Sequence, residues 1–126
     1  MSELLRGVVL AHADLAAALV GAAQAIAGDD TGLTPVSNAG CDRAAIAARL
    51  EAAVGAGPAV IFTDLAGGSC SMVAATVARR RPELRVVAGV NLGMLLEFAF
   101  HRGETVDALA ERVSAAGRVA IREVGR

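Results

Sequence analysis

The sequence contains no Lys, no Trp and no Tyr, and its 126 residues include only three Phe and two Cys. Each scarcity removes a class of function. With so few aromatic rings there is no platform on which bases could stack. All twelve basic residues are Arg, set against thirteen acidic ones, for a formal net charge of −1. That balance leaves no electrostatic footprint for nucleic acid or an anionic membrane surface. The missing Lys reads as a coding bias rather than a functional device. Two cysteines are too few for a disulfide framework, and Cys41 and Cys70 are too far apart for a CxxC pair, so neither a disulfide scaffold nor a metal site is expected. The longest apolar stretch, Leu15 to Ala27, contains Gln24 and is shorter than the roughly 20 residues a bilayer span needs. Arg6, His12 and Asp14 interrupt the apolar core that a secretory leader would require. The expectation is a soluble cytoplasmic protein with reduced thiols.

What is present is aliphatic: 55% of the chain is hydrophobic, most of it Ala, Val and Leu. Short aliphatic runs alternate with longer alanine-rich segments. "LLRGVVLA" (4–11) reads as a first strand, Asp14 as the N-cap of a helix over 15–27, and Gly28 as its stop. "GLTPVS" (32–37), interrupted by Pro35, is a weaker strand that belongs near a sheet edge. Asp42 caps a helix over 43–54, closed by Gly55 and Gly57, and "PAVIFTD" (58–64) is the third strand. Ser69 is placed to cap a helix over 70–81 with Pro82 beyond it, and "LRVVAGV" (84–90) is the fourth strand. Asn91 caps a helix ending at Gly103, a last helix covers 105–117, and "RVAIREV" (118–124) partly alternates as a strand would.

Strands buried on both faces and separated by helices imply a parallel sheet covered on both sides. The expected fold is therefore α/β: a doubly wound, four-stranded parallel sheet in the order 2-1-3-4. With no repeat, linker or low-complexity tract, residues 1–126 form one domain.

In such sheets ligands bind beyond the carboxyl ends of strands, where neighbouring strands send their helices to opposite faces. His12 follows the first strand and Asp64 ends the third, which become neighbours in that order. Strand periodicity explains neither residue, and both point to one crevice. "DLAGGS" (64–69) adds Gly67 and Gly68, which let backbone approach a ligand, and the hydroxyl of Ser69 at a helix N-terminus. The loop suits a phosphoryl group, although it lacks the GxxxxGK[ST] spacing of a nucleotide-binding loop. A neutral imidazole is a nucleophile near pH 7. A carboxylate on one ring nitrogen fixes the tautomer, frees the other lone pair and stabilises the cation formed on attack.

These residues resemble the IIA component of the mannose family of the bacterial phosphoenolpyruvate-dependent sugar phosphotransferase system. The likeness is carried by the strand ending in His12, "FTDLAGGS" (62–69) and "VVAGVNLGMLLE" (86–97), in that order and spacing. It implies a phosphotransferase in which His12 takes a phosphoryl group, on Nε2, from phospho-HPr and passes it to a separate IIB protein. Asp64 would hold the ring through Nδ1, and Ser69 with the Gly67–Gly68 backbone would cradle the phosphoryl oxygens, with no cofactor. The resemblance further implies a homodimer that exchanges a C-terminal strand, matching residues 118–124, and association with membrane IIC and IID components through IIB. This chain departs from the family pattern at Ala13, usually Gly; at Ala66, usually aromatic; and at Cys70, usually Pro.

Two other readings use the same residues. One is a regulatory module whose phosphorylation state is read by another protein without sugar transport. The other is a metal-dependent phosphoesterase built on His12, Asp14 and Asp64. Elsewhere the bland accounts are preferred. His101 and the Arg79–Arg81 run complement helix C-termini, and Cys70 is a small buried residue. Met72, Met94, Phe98 and Phe100 belong to the core, and Asn91 is a cap before it is a site residue.

Overall fold

The computed structural model describes residues 4–126. Strands β1 (Arg6–Ala11), β2 (Leu33–Ser37), β3 (Ala59–Thr63) and β4 (Leu84–Ala88) alternate with helices α1 (Leu15–Ala27), α2 (Arg43–Val54), α3 (Ser69–Arg80), α4 (Leu92–Phe100) and α5 (Val106–Val119). All strand pairs are parallel and the order is β2-β1-β3-β4, as the alternation of elements predicts.

The pleat of the two central strands divides the core. Val9 and Ala11 of β1 and Val60 and Phe62 of β3 face α1, α4 and α5, meeting Val20, Leu95, Phe98 and Val113. Val8, Leu10 and Ile61 point the other way, onto Ile46, Leu50, Val73 and Val77 of α2 and α3. Every one of these strand residues is fully buried, which is why the strands read as unbroken aliphatic runs. Phe62 and Phe98 pack edge to face, with ring centroids 5.6 Å apart. Gly7 makes room for the second of these rings, since a Cβ there would lie 2.8 Å from Phe98 Cζ.

Because α1 leaves β1 toward one face and α3 leaves β3 toward the other, a crevice opens at the carboxyl ends of this neighbouring pair. The register places Leu10 beside Thr63, so the chain emerges at His12 and at Asp64 from adjacent strand ends.

Several local expectations are corrected. Asp14 occupies the N-cap position of α1, but its side chain makes no capping bond. The backbone there is already in a tight turn, with the Leu15 N–H donating to the His12 carbonyl at 3.1 Å. Ser69 is the first residue of α3, and Gly68 holds the cap position. Met72 and Phe100 lie on the surface, 50% and 65% exposed, on the outer faces of their helices, whereas Met94 and Phe98 are core. Residues 118–124 form no strand within the single chain: α5 continues through Val119, and no regular element follows it. Asp42 and Asn91 cap α2 and α4 as expected, accepting from the N–H groups of Ala45 and Met94.

Candidate functional site

At the mouth of the crevice one carboxylate oxygen serves two donors. Asp64 Oδ2 lies 3.0 Å from the backbone N of His12 and 2.7 Å from His12 Nδ1. The other oxygen, Oδ1, accepts from the Leu65 N–H at 3.1 Å. Burial alone would raise the pKa of Asp64, but the bonds from the His12 backbone and ring outweigh it and hold the carboxyl below its ordinary range. An ionised Asp64 can only accept, so Nδ1 carries a proton, and in the neutral ring Nε2 keeps the lone pair. Asp64 is almost sealed, with 10% of its side chain exposed, while His12 is 42% exposed. Asp64 thus holds from within a ring that stays half-exposed.

The turn from Asp64 to Ser69 closes against the same ring. A Cβ on Gly68 would sit 3.4 Å from His12 Cε1, so this glycine's backbone lies directly against the imidazole. A Cβ on Gly67 would meet nothing within 4 Å; its bare backbone faces open space. The turn is pinned from inside by Ser71, whose hydroxyl donates to the Leu65 carbonyl and accepts from Thr63 Oγ1 at 2.5 Å. Both hydroxyls are buried. Sequence reasoning passed over Ser71; its signal is a second serine three residues beyond the glycine pair.

Residue 13 carries a second missed feature. Ala13 has φ +53°, the only left-handed non-glycine residue among those described. The β2–α2 loop holds it there: Asn38 Oδ1 accepts from the Ala13 N–H at 3.2 Å, and Ser37 Oγ donates to its carbonyl at 2.7 Å. Such a conformation suits glycine, which gives a physical reason for the glycine expected after His12. Ser37 and Asn38 thus position the chain immediately following the histidine.

The remaining candidates fall elsewhere. Asn91 caps α4 and donates from Nδ2 to the Gly117 carbonyl at 3.1 Å, tying α4 to α5. His101 follows the end of α4 and sits 3.4 Å from both Glu97 and Glu104. Among the described residues, the cluster with metal-ligand chemistry is His12, Asp64 and Cys70, with one ligand atom from each within 4.8 Å of the others. The trio of His12, Asp14 and Asp64 is not assembled. Cys70 is fully buried, and burial, reinforced by the Asp64 carboxylate, pushes its thiol up.

Fold and site define a doubly wound α/β domain that presents a carboxylate-backed histidine at its topological switch point. Residues 7–115 match the family described as PTS system fructose IIA component. The chain belongs to that family, the mannose-type IIA components, and so has a phosphotransfer role in the sugar phosphotransferase system. It is similar to the mannose/sorbose specific IIA subunit of the phosphotransferase system from Enterococcus faecalis, with 28% identity over 98% of this chain and 97% of that one, at a TM-score of 0.88. The phosphotransferase system component EIIA from Streptococcus agalactiae shares 23% identity over 95% of this chain and 97% of its own, at a TM-score of 0.89. The PTS IIA protein associated with the fucose utilization operon from Streptococcus pneumoniae shares 18% over 98% and 96%, at a TM-score of 0.76. The last two likenesses speak for the fold alone. No curated protein matches the chain in sequence. Among the described residues no helix is long and apolar enough to cross a membrane.

Proposed function

We propose that this chain carries a phosphoryl group on His12, accepting it from phospho-HPr and passing it to a separate IIB protein. The observation that carries the reading is the 2.7 Å contact between His12 Nδ1 and Asp64 Oδ2, made behind a half-exposed ring. Nε2 attacks phosphorus in line, the donor's bond to phosphorus breaks, and the imidazolium-like product is stabilised by Asp64. Transfer to the acceptor reverses the sequence. Little covalent work is asked of the protein beyond positioning and electrostatics.

The phosphoryl oxygens would lie against Gly67, Gly68 and Ser69. Gly67 has no side chain to obstruct them, and α3 begins with no side chain occupying its N-terminal N–H groups. No cofactor enters this scheme. The carrier would work in the cytoplasm, as one domain spanning 1–126, and reach membrane IIC and IID components only through IIB. We further infer a homodimer in which residues 118–124 pair with the sheet of the second subunit. The outer edge of β4 has no strand partner among the described residues, and Ile121 and Val124 are 78% and 89% exposed just beyond α5.

Incubation with phosphoenolpyruvate, enzyme I and HPr, followed by intact-mass measurement, tests the reading. The expected result is one added phosphoryl group, labile in acid and stable in alkali as a phosphoramidate is, and absent from His12→Ala. A label that persists in His12→Ala, or that proves alkali-labile and maps to Asp64, overturns it.

A further inference from the structure

The separation of Cys70 from His12 by 58 positions hides a proximity that the fold creates. One nitrogen of His12, one carboxylate oxygen of Asp64 and Sγ of Cys70 lie within 4.8 Å of one another. Nitrogen, oxygen and sulfur in one cluster form a donor set suited to Zn²⁺. We propose that the phosphoryl-acceptor site is also a Zn²⁺ site formed by His12, Asp64 and Cys70, and that occupancy by Zn²⁺ switches the histidine off. The regulatory half of this proposal rests on the phosphotransfer reading; the metal site does not.

A tetrahedral Zn²⁺ with bonds of about 2.0–2.3 Å keeps its ligands about 3.3–3.8 Å apart. The cluster therefore needs roughly an ångström of side-chain adjustment and no rearrangement of the strands that hold it. His12 Nδ1 and Asp64 Oδ2, now 2.7 Å apart, open slightly as the ion takes the place of the proton between them. His12 is the exposed member of the three, so the ion enters by displacement of its ring, with Asp64 and the buried Cys70 holding it from within. Asp64 and a Cys70 thiolate contribute two negative charges and the neutral imidazole none, so the loaded site has no net charge.

The protons balance. Cys70 gives up its thiol proton to solvent, and the imidazole proton passes from Nδ1 to Nε2. That second shift is the inhibitory event, because the lone pair needed to attack phosphorus is now bound to hydrogen. The hydrogen bond that keeps Nε2 free in the apo protein is the contact the metal replaces.

The test is titration of the metal-free full chain with Co²⁺, whose tetrahedral thiolate complexes absorb in the visible and near ultraviolet. One ion per chain should give both bands, Zn²⁺ should displace it, and Cys41→Ser should behave like the parent protein. Cys70→Ala and His12→Ala should lose the thiolate band. Cys70→Ser guards against a packing defect at this buried position and should lose it as well. In the second arm the chain is loaded with Zn²⁺, freed of excess and offered the labelling system. Labelling should be lost in the parent protein and restored by a zinc chelator, and Cys70→Ala should label with or without Zn²⁺. Absence of a thiolate band, its survival in Cys70→Ala, or equal inhibition of parent and Cys70→Ala overturns the proposal. If the metal-free chain never labels, the phosphotransfer reading fails while the cobalt spectra still decide the metal site.

Discussion

Asp64 Oδ2 holds His12 by two bonds at once, 3.0 Å from its backbone nitrogen and 2.7 Å from ring Nδ1. The carboxylate thus fixes the strand end and the ring orientation together. Removing it should affect two separable quantities, the rate of transfer and the stability of the fold at a given pH.

For the rate, Asp64→Asn should slow phosphoryl uptake without abolishing it, because the proposed covalent acceptor, His12, remains. Loss of a tautomer-fixing carboxylate in a catalytic triad costs on the order of 10⁴ in rate, an upper guide for a reaction that leans on positioning. Quenched-flow labelling checks this, and the residual label should still map to His12.

For stability, the sign follows from the lowered pKa of Asp64. A carboxyl that ionises more readily when folded contributes stability that is fully present above its unfolded pKa of about 3.9 and is lost as pH falls through the folded value. The stability difference between the parent protein and Asp64→Asn should accordingly shrink on acidification below about pH 4. Urea unfolding at a series of pH values measures it.

Ala13, left-handed at φ +53°, should be improved by glycine. The strain of an L-residue there costs about 1–2 kcal/mol, and glycine's extra unfolded-state entropy returns about 0.5–1 kcal/mol of that. Ala13→Gly should therefore stabilise by about 0.5–1 kcal/mol in denaturant titration and leave labelling intact. A loss of stability would mean that the strain here is smaller than glycine's entropy cost, since Ser37 and Asn38 bond to backbone atoms that glycine keeps.

Phe98 is fully buried against Phe62 and Gly7. Phe98→Ala should lose about 3–5 kcal/mol, read as a lower denaturation midpoint. Its partner ring belongs to β3, the strand that leads into Asp64, so labelling should slow as well.

Deleting residues 118–126 should convert a dimer into monomers or aggregates by light scattering, since the outer edge of β4 loses its proposed cover. A truncated chain that stays dimeric would end the exchange idea.

The order of elements, the parallel sheet and the two residues of the crevice were all legible in the sequence. Alternating aliphatic strands and alanine-rich helices are local patterns, and His12 and Asp64 stand out as polar groups where such strands stop. Helix starts were less legible. Asp14 and Ser69 have the chemistry of caps, but the turn after His12 and the backbone at Gly68 had already decided where α1 and α3 begin. Met72 and Phe100 are apolar in type yet face outward, because helix phase is set by which neighbours need covering. Ser71, Ser37 and Asn38 act through bonds to carbonyls and amides that no spacing announces. Sequence determined the fold class and singled out His12 as the proposed acceptor, since both follow from periodicity and its interruption. Tertiary structure alone decided what surrounds that histidine, because Cys70, Gly68 and Asp64 come within reach of it only when β1 and β3 lie side by side.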